Sequence, residues 1–501
     1  MQIVIPMSGL GRRFVEAGYT DLKPFIPVDG KPMVQHVIEL FLGETKVLAI
    51  CDQLHTEKLK AICPTIQVFH SLHRGLGPVD AVMCAESAIN DEEEVIVSYC
   101  DYGTQWDYKA FLLEVRELHA DGAIACYRGF HPHHLGPDCY AYVRETNRWA
   151  NEVREKTPFT PYDKMNEYAS NGTYYFRTGR IMKDCFRSLM TSGATLKGEY
   201  YVSMAYNHMI AKGLSVRVVE IQKMLQWGTP YDLEVYKTWS AYFHEKPRRR
   251  IKAPGLTLLP MAGQGSRFRM QGYDTPKPFL SIRGEPMAVA ALRDLPESDS
   301  TTIISLRRHA VGEYFPGCRI VELDETTDGQ ATTCMAALDT VPDSMPLTVT
   351  ACDNGAMYDP DRLEAMLKDP SVDVIVWCFT NNPTGKLYPH MYAWLDVDDS
   401  GSIRTVSIKK PFADKPNTHA IIGTMFFRTT GMFKTAYKHI VDHNIRTNGE
   451  FYVDNLLQPL IDQGYVVKAF PVDYYLCWGT PNDYRTFLYW GDYHSSSHQH
   501  N

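Results

Sequence analysis

The sequence predicts an α/β protein of two tandem domains, each a mainly parallel mixed sheet flanked by helices. Three observations carry this. One stretch is written twice: IVIPMSGLGRRFVEAGYTDLKPFIPVDGKPM, from Ile3 to Met33, returns as LTLLPMAGQGSRFRMQGYDTPKPFLSIRGEPM, from Leu256 to Met287. A repeat on that scale sets the domain count before any length argument does. Short apolar runs alternate with helix-period segments in both halves, the pattern of strands joined by crossover helices. And 501 residues exceed what one hydrophobic core normally serves.

In the first half the strand-like runs are Gln2–Pro6, Val47–Cys51, Val95–Ser98 and Ala123–Tyr127, with helical segments at Met33–Leu42, Val79–Ala88 and Tyr108–His119. The second half repeats the order with Thr257–Leu259, Thr302–Leu306, Leu347–Thr350 and Val372–Cys378. Its helices are expected at Ala288–Leu295, Thr332–Leu338 and Pro360–Leu367. Each half then turns sheet-rich, around Tyr140–Glu145 and Thr173–Arg177, and around His390–Asp396 and Ile421–Arg428. The expected division is residues 1–245, a connector at 246–255, residues 256–493 and a polar, disordered tail at 494–501. The connector is marked by proline, glycine and the run Arg248–Arg250, read as a solvated linker or an ion-pairing segment between the domains.

Apolar residues at 44% and charged residues at 22% describe an ordinary globular chain. A net charge of −8 argues against a nucleic-acid partner, which needs a basic face. No apolar run is long enough for membrane insertion, and the chain starts directly with a strand, so a cytoplasmic protein is expected. Homo-oligomerisation stays open. The twelve cysteines are scattered and read as reduced thiols, not a disulfide or zinc framework. The run His131 to His134 lacks further ligands at metal spacing, so a loop of solvated imidazoles is expected there.

The repeated stretch carries the chemistry. In each copy an apolar strand ends in Gly-x-Gly-x-x-Arg-Phe, followed by Gly-Tyr and Lys-Pro. Gly9, Gly11, Arg13, Phe14 and Lys23 fall on Gly263, Gly265, Arg267, Phe268 and Lys277 at one constant spacing. Glycines permit the sharp turn and leave no Cβ between backbone and ligand. Exposed amides in such a turn form an anion-binding concavity. The arginine can fork onto phosphate oxygens and the lysine places a point charge beside them. One isolated copy would read as a plain strand-to-helix turn; two matching copies disfavour that. Downstream, VIVSYCDYG and LTVTACDNG each end a strand in an aspartate, Asp101 and Asp353. A carboxylate at the carboxyl end of a parallel strand opens onto the ligand crevice of such sheets and can hold Mg²⁺ against phosphates.

The pattern Gly-x-Gly-x-x-Arg-Phe…Lys-Pro resembles the signature of the sugar-phosphate nucleotidyltransferases, or nucleotide-sugar pyrophosphorylases. The Pro-Met-(Ala/Ser)-Gly start is similar to the branch found with capsule and surface-polysaccharide synthesis. It is neither a Rossmann dinucleotide fingerprint nor a Walker A loop. The resemblance implies two Rossmann-like (GT-A-like) nucleotidyltransferase domains. It implies nucleotide contacts from Met7, Ser8, Gly9, Gly11 and Gly77, and from Met261, Ala262, Gly263, Gly265, Gly329 and Gln330. Arg13, Lys23, Arg267 and Lys277 would act on the triphosphate. Lys156 and Lys410 would grip the acceptor's phosphate. Gly172 and Gly423 would admit the sugar, and Glu199 and Glu450 would bind its hydroxyls. Asp101 and Asp353 would bind Mg²⁺.

The copies depart from the family pattern in places. In this reading Lys409 stands where Glu155 does, and Ile422 where Asn171 does. Many relatives carry a second metal-binding Asp before the Gly-Thr-Pro run; Gln226 and Cys477 occupy that position, which puts a two-carboxylate site in doubt, with Asp473 a substitute in the second half only. The expected activity is transfer of a nucleotidyl group from an NTP to a phosphorylated sugar or polyol with release of pyrophosphate, for polysaccharide precursor synthesis. Two other readings stand beside it: one catalytic half with one regulatory or scaffolding half, and a glycosyltransferase of the same class. The latter lacks its Asp-x-Asp motif, since Asp101-Tyr102-Gly103 and Asp353-Asn354-Gly355 stand there.

Overall fold

The computed structural model describes residues 1–501 except 10, 72–74, 381, 383, 384, 386, 387, 416, 417 and 498–501, and the side chain of Ser497. The chain divides into two compact units, Met1–Phe243 and His244–Asn501. Both are α/β, and among the described residues each has a nine-stranded mixed sheet with helices packed on it.

In the first unit the strand Gln2–Pro6 lies at the centre of the sheet. It pairs in parallel with Lys46–Cys51 on one side and Val95–Ser98 on the other. All five of its residues are buried, as a strand covered on both faces must be. The chain runs outward from this strand to Gln67–His70, then returns to Val95–Ser98 across it. The strand order therefore reverses at Gln2–Pro6, and the crevice of an open α/β sheet lies at such a point, past the carboxyl ends of the strands. Tyr168–Phe176 then runs antiparallel between Val95–Ser98 and Gly122–Tyr127. A glycine bulge interrupts this pairing between Ser170 and Tyr174.

The second unit repeats this order around Lys252–Pro260, with Glu297–Leu306 and Leu347–Val349 as its parallel neighbours and His419–Phe427 running antiparallel beyond. Its central strand starts at Lys252, inside the segment read from sequence as a connector. Gly255 sits there with φ of 85°, and a Cβ on it would lie 2.1 Å from the Pro346 carbonyl oxygen. That glycine marks a close backbone crossing, not a loose linker. Arg248 pairs with Asp473, Arg249 with Asp361 and Glu364, and Arg250 with Glu297. All of these partners lie in the second unit itself.

The last helix of each unit returns to its first motif. In the first unit Pro230–His244 places Tyr236 and Ser240 on the two oxygens of Asp29, the Ser240 bond measuring 2.7 Å, and Glu234 accepts from Tyr19. In the second, Pro481–Ser497 brings the Tyr484 hydroxyl to the Ser281 carbonyl at 3.1 Å and Arg485 Nε to the Tyr273 hydroxyl at 3.1 Å. This helix runs through His494, where a disordered tail was expected; His494 is 3% exposed and packs on Trp490. The rest of that tail, 498–501, lies outside the described residues.

Among the described residues no two cysteines form a disulfide. Among the described residues no helix is long and apolar enough to cross a membrane. The histidine run corrects its expectation. His131 and His134 are 3% and 2% exposed, and the three imidazoles pack around Tyr127 and Tyr140. The residues flanking them are aromatic, so burial in a ring cluster wins over solvation.

Candidate active sites

Each glycine loop leaves its central strand and enters a five-residue helix, Arg12–Glu16 or Ser266–Met270. Gly11 and Gly265 cap these helices in the left-handed region, with φ of 60° and 61°, which only glycine adopts without strain. A Cβ on Gly11 would lie 3.0 Å from Lys23 Cβ, and one on Gly265 3.4 Å from Lys277 Cβ. Gly9 and Gly263 face open space, with nothing within 4 Å of an added Cβ. Met7 and Met261 are buried, and their N–H groups are bonded to the Ile50 and Ile304 carbonyls, both at 2.8 Å. The open side thus begins at Ser8 in the first loop and, since Ala262 is buried, at Gly263 in the second.

Phe14 and Phe268 anchor the short helices in the core, each 1% exposed. Tyr19 and Tyr273 pack edge-on against them, at 5.2 and 5.3 Å between ring centroids. The Phe and Gly-Tyr parts of the motif are therefore one packing unit that steers the chain toward the lysine. Lys23 Nζ is ion-paired with Asp101, and Lys277 Nζ with Asp353, both pairs largely shielded from solvent. For Asp353, burial opposes ionisation, but Lys277 and then Arg267 outweigh it and hold the carboxyl below its usual range. Lys277 is correspondingly raised, the attraction of Asp353 outweighing burial.

Arg13 and Arg267 are exposed at the cleft. Arg13 donates to the Gly228 carbonyl at 3.3 Å. A Cβ on Gly228 would lie 2.9 Å from an Asp101 oxygen and 3.3 Å from Gln226 Nε2; one on Gly479 would lie 3.2 Å from Asp353 and 3.7 Å from Cys477 Sγ. Gln226 and Cys477 thus stand beside the strand-end aspartates, on small ribbons paired with the residues just after them. The Asp473 carboxylate is taken by Arg248, at the far end of the strand Tyr474–Cys477, so it does not supply the missing ligand. Among the described residues no group of three or more His, Cys, Asp or Glu side chains could hold a metal. Asp101 and Asp353 each stand as a single carboxylate against the loop lysine, which fits Mg²⁺ bound mainly through substrate phosphates and water.

The residues expected to meet an acceptor in the first cleft form a chain of contacts. Lys156 Nζ donates to the Tyr201 hydroxyl at 2.7 Å, and that hydroxyl donates to Glu199. Glu155 accepts from Ser203 at 2.6 Å; burial raises its pKa, against the pull of that hydrogen bond and of Lys156. Tyr201 lies within electrostatic reach of Arg13. Gly77 and Gly329 lie against the chain's own backbone: a Cβ would come 2.9 Å from Tyr200 N and 2.4 Å from Phe451 O, respectively. Gly172 and Gly423 likewise admit Tyr99 and Ala351. Gln330 points its amide at the Thr350 carbonyl, 3.5 Å away.

One pairing needs correction. Lys156 and Lys409 both follow the end of a strand, both have left-handed φ of 54° and 58°, and both donate N–H to the matching tyrosine carbonyls, Tyr140 and Tyr392. Lys409, not Lys410, is therefore the counterpart of Lys156, and Ile408 the counterpart of Glu155. Lys410 is exposed, its carbonyl taken by Ser407. Counting back from Pro158 and Pro411 would have given this match. Glu450 is exposed, unlike Glu199.

Sequence reasoning also passed over Asp232 and Asp483, which follow the Trp-Gly-Thr-Pro run at one spacing. Each bonds the preceding threonine and feels the cleft arginine. Burial raises the Asp232 pKa to about 6, against the Thr229 hydrogen bond and Arg13. Beside the second loop, a hollow of about 400 Å³ is lined by Gln264, Arg269, Arg308, Glu325 and Thr326, adding two arginines to that side.

An open α/β sheet with a glycine loop, two cations and a strand-end carboxylate at its reversal point defines a phosphate-handling nucleotide fold. The family model described as the MobA-like NTP transferase domain matches residues 3–160 and 258–398, and the chain belongs to that family of nucleotidyltransferases. Among solved structures, it is similar to the nucleoside-diphosphate-sugar pyrophosphorylase from Vibrio cholerae RC9, at 21% identity over 47% of this chain and 99% of that one, with a TM-score of 0.38. The inositol-1-phosphate CTP transferase from T. maritima gives 15% identity over 48% and 96%, with a TM-score of 0.39. UDP-glucose pyrophosphorylase from Acinetobacter baumanii gives 16% over 49% and 94%, with a TM-score of 0.37. The search of curated proteins found no match.

Proposed function

We propose that each unit is a nucleotidyl transfer site: an NTP and a phosphorylated sugar or polyol give the nucleotide-linked product and pyrophosphate, as a step toward surface-polysaccharide precursors. The observation that carries this reading is the twinned pair Lys23–Asp101 and Lys277–Asp353, each set under an open glycine loop.

In this reading the amides from Ser8 to Gly11 and from Gly263 to Gly265 cradle the triphosphate. Arg13 and Arg267 neutralise the departing pyrophosphate, and Lys23 and Lys277 turn from their aspartates toward the α-phosphate. Lys156 and Lys409 hold the acceptor's phosphate. An oxygen of that phosphate bonds to the α-phosphorus as the bond to the β-phosphate oxygen breaks. The attacking oxygen is already anionic, so the sites need alignment and charge neutralisation and no general base. Asp101 and Asp353 would hold Mg²⁺, which supplies charge neutralisation on the phosphates.

A second reading, with the second unit a scaffold, is favoured only by Ile408 and Ile422 replacing Glu155 and Asn171. The preserved Lys277–Asp353 pair speaks against it. The test is pyrophosphate release from the full chain with each of four NTPs and a panel of phosphorylated acceptors, repeated with Arg13→Ala and Arg267→Ala. Two working sites predict partial loss in each variant. Absence of pyrophosphate from every pair overturns the proposal.

A further inference from the structure

Both units hold an acid beside the acceptor lysine, but from opposite sides. In the first unit the acid is Glu155, the last residue of the strand Trp149–Glu155, and it accepts from Ser203 on the helix Val202–Ala211. In the second unit the strand Ile403–Ile408 ends in Ile408 at that register, paired with Ala393 as Glu155 is with Ala141. The helical side is aligned by the bridges Leu196↔Glu199 and Thr447↔Glu450, so Tyr201 matches Tyr452 and Ser203 matches Asp454. The pair Glu155 and Ser203 has become Ile408 and Asp454. An acid has moved from the strand to the helical turn while the lysine stayed in place.

The electrostatics follow the exchange. Burial raises the pKa of both acids, that of Asp454 to about 6, and the neighbouring lysine, Lys156 or Lys409, pulls against it in each case. Lys409 also lies within electrostatic reach of Arg267 and Asp353, so this corner belongs to the second cleft. Unlike Glu155, the Asp454 carboxylate has no hydrogen-bond or ion-pair partner among the described residues, although it is only half exposed at most. A shielded carboxylate without donors is costly and is satisfied by a donor that arrives with a ligand. Ile408 offers that ligand no hydrogen bond on the facing side.

We propose that Asp454 is the acceptor-recognising carboxylate of the second site, and that this site takes a phosphorylated acceptor presenting an N–H or O–H donor to Asp454 and an apolar flank to Ile408. The first site, with Glu155 and Ser203, takes a more hydroxylated acceptor. The two sites therefore make different products. This rests on reading both units as transfer sites.

The test uses the full chain with the first site silenced by Lys23→Ala, and pyrophosphate release with phosphorylated sugars, polyols and amino alcohols. Asp454→Asn is expected to raise the acceptor KM at least tenfold while the NTP KM stays within twofold, which also reports an intact fold. Preference for amino alcohol phosphates assigns the donor as ammonium, and preference for polyol phosphates as hydroxyl. The double variant Ile408→Glu with Asp454→Ser rebuilds the first arrangement and should shift preference toward the first site's acceptors. An unchanged acceptor KM in Asp454→Asn, or an unchanged preference in the double variant, overturns the inference while leaving the transferase reading intact. No pyrophosphate from any pair at either site overturns both.

Discussion

Lys23 and Asp101 are 78 residues apart in sequence and ion-paired in space, and Lys277 and Asp353 repeat the pair across 76 residues. The lysine arrives on a loop fixed by Phe14 and Tyr19, or Phe268 and Tyr273, and the aspartate on the end of a neighbouring strand. Before substrate binds, each largely shielded charge satisfies the other. With a triphosphate in the cleft, the lysine has phosphate oxygens to turn to.

Lys23→Ala and Lys277→Ala should each lower the rate of their own site by about 10²-fold or more, with the other site's contribution retained. Single-turnover pyrophosphate release, with the opposite site silenced, reads this directly. Equal collapse of both sites from one substitution would contradict independent clefts.

The glycine caps should differ in their tolerance. Alanine at Gly11 or Gly265 meets a left-handed φ, costing about 1–2 kcal/mol. At Gly11 the new Cβ also lies 3.0 Å from Lys23 Cβ, against 3.4 Å to Lys277 at Gly265. Gly11→Ala is therefore expected to lose more nucleotide affinity and more unfolding free energy than Gly265→Ala, measured by nucleotide titration and denaturant melts.

Burial holds His131 at about 3 and His134 at about 4, so both stay neutral in the folded first unit. Their ordinary value is about 6.5. The unfolded chain therefore binds more protons below pH 6.5. Stability from these groups is complete above that pH and falls progressively toward pH 3–4, at about 1.4 kcal/mol per pKa unit. Asp232, raised by burial from 3.8 to about 6, works in the opposite sense between those two values. Neither ring nitrogen of His134 has a hydrogen-bond partner among the described residues, and the ring stacks on Tyr127 and Tyr142. His134→Phe should leave stability at pH 8 within about 1 kcal/mol and flatten its loss between pH 7 and 5. Paired denaturant melts at the two pH values provide the check.

Gln226 lies beside Asp101 where a second carboxylate would complete a metal site. Gln226→Asp should lower the Mg²⁺ concentration needed for half-maximal pyrophosphate release at the first site, since added ligand charge tightens hard-cation binding. A titration with no leftward displacement would count against Asp101 as the metal carboxylate.

Much of this architecture was legible in the chain. The repeat located both central strands, because a fully buried strand and a ligand-facing glycine turn leave dense, ordered constraints on residue type. Asp101 and Asp353 stood out because a strand must end where the crevice begins. The acceptor side was harder to read. Matching lysines by local resemblance put Lys410 opposite Lys156, whereas backbone geometry selects Lys409; a lysine recurs too freely on surfaces to set a register alone. The exchange of Glu155 and Ser203 for Ile408 and Asp454 crosses two elements far apart in sequence, so only their packing reveals it. The histidine run looked solvated because histidine is polar, but Tyr127, Tyr140 and Tyr142, which flank it closely in sequence, fold over the rings and bury them.

In each unit the glycine loop lies near the start of the unit, while the helix that clasps it is the last element made. On the ribosome, the first loop emerges some two hundred residues before Tyr236 and Ser240 can reach Asp29. Nucleotide would therefore meet an untethered cradle until synthesis of that unit is nearly complete, so each cleft matures only at the end of its own translation.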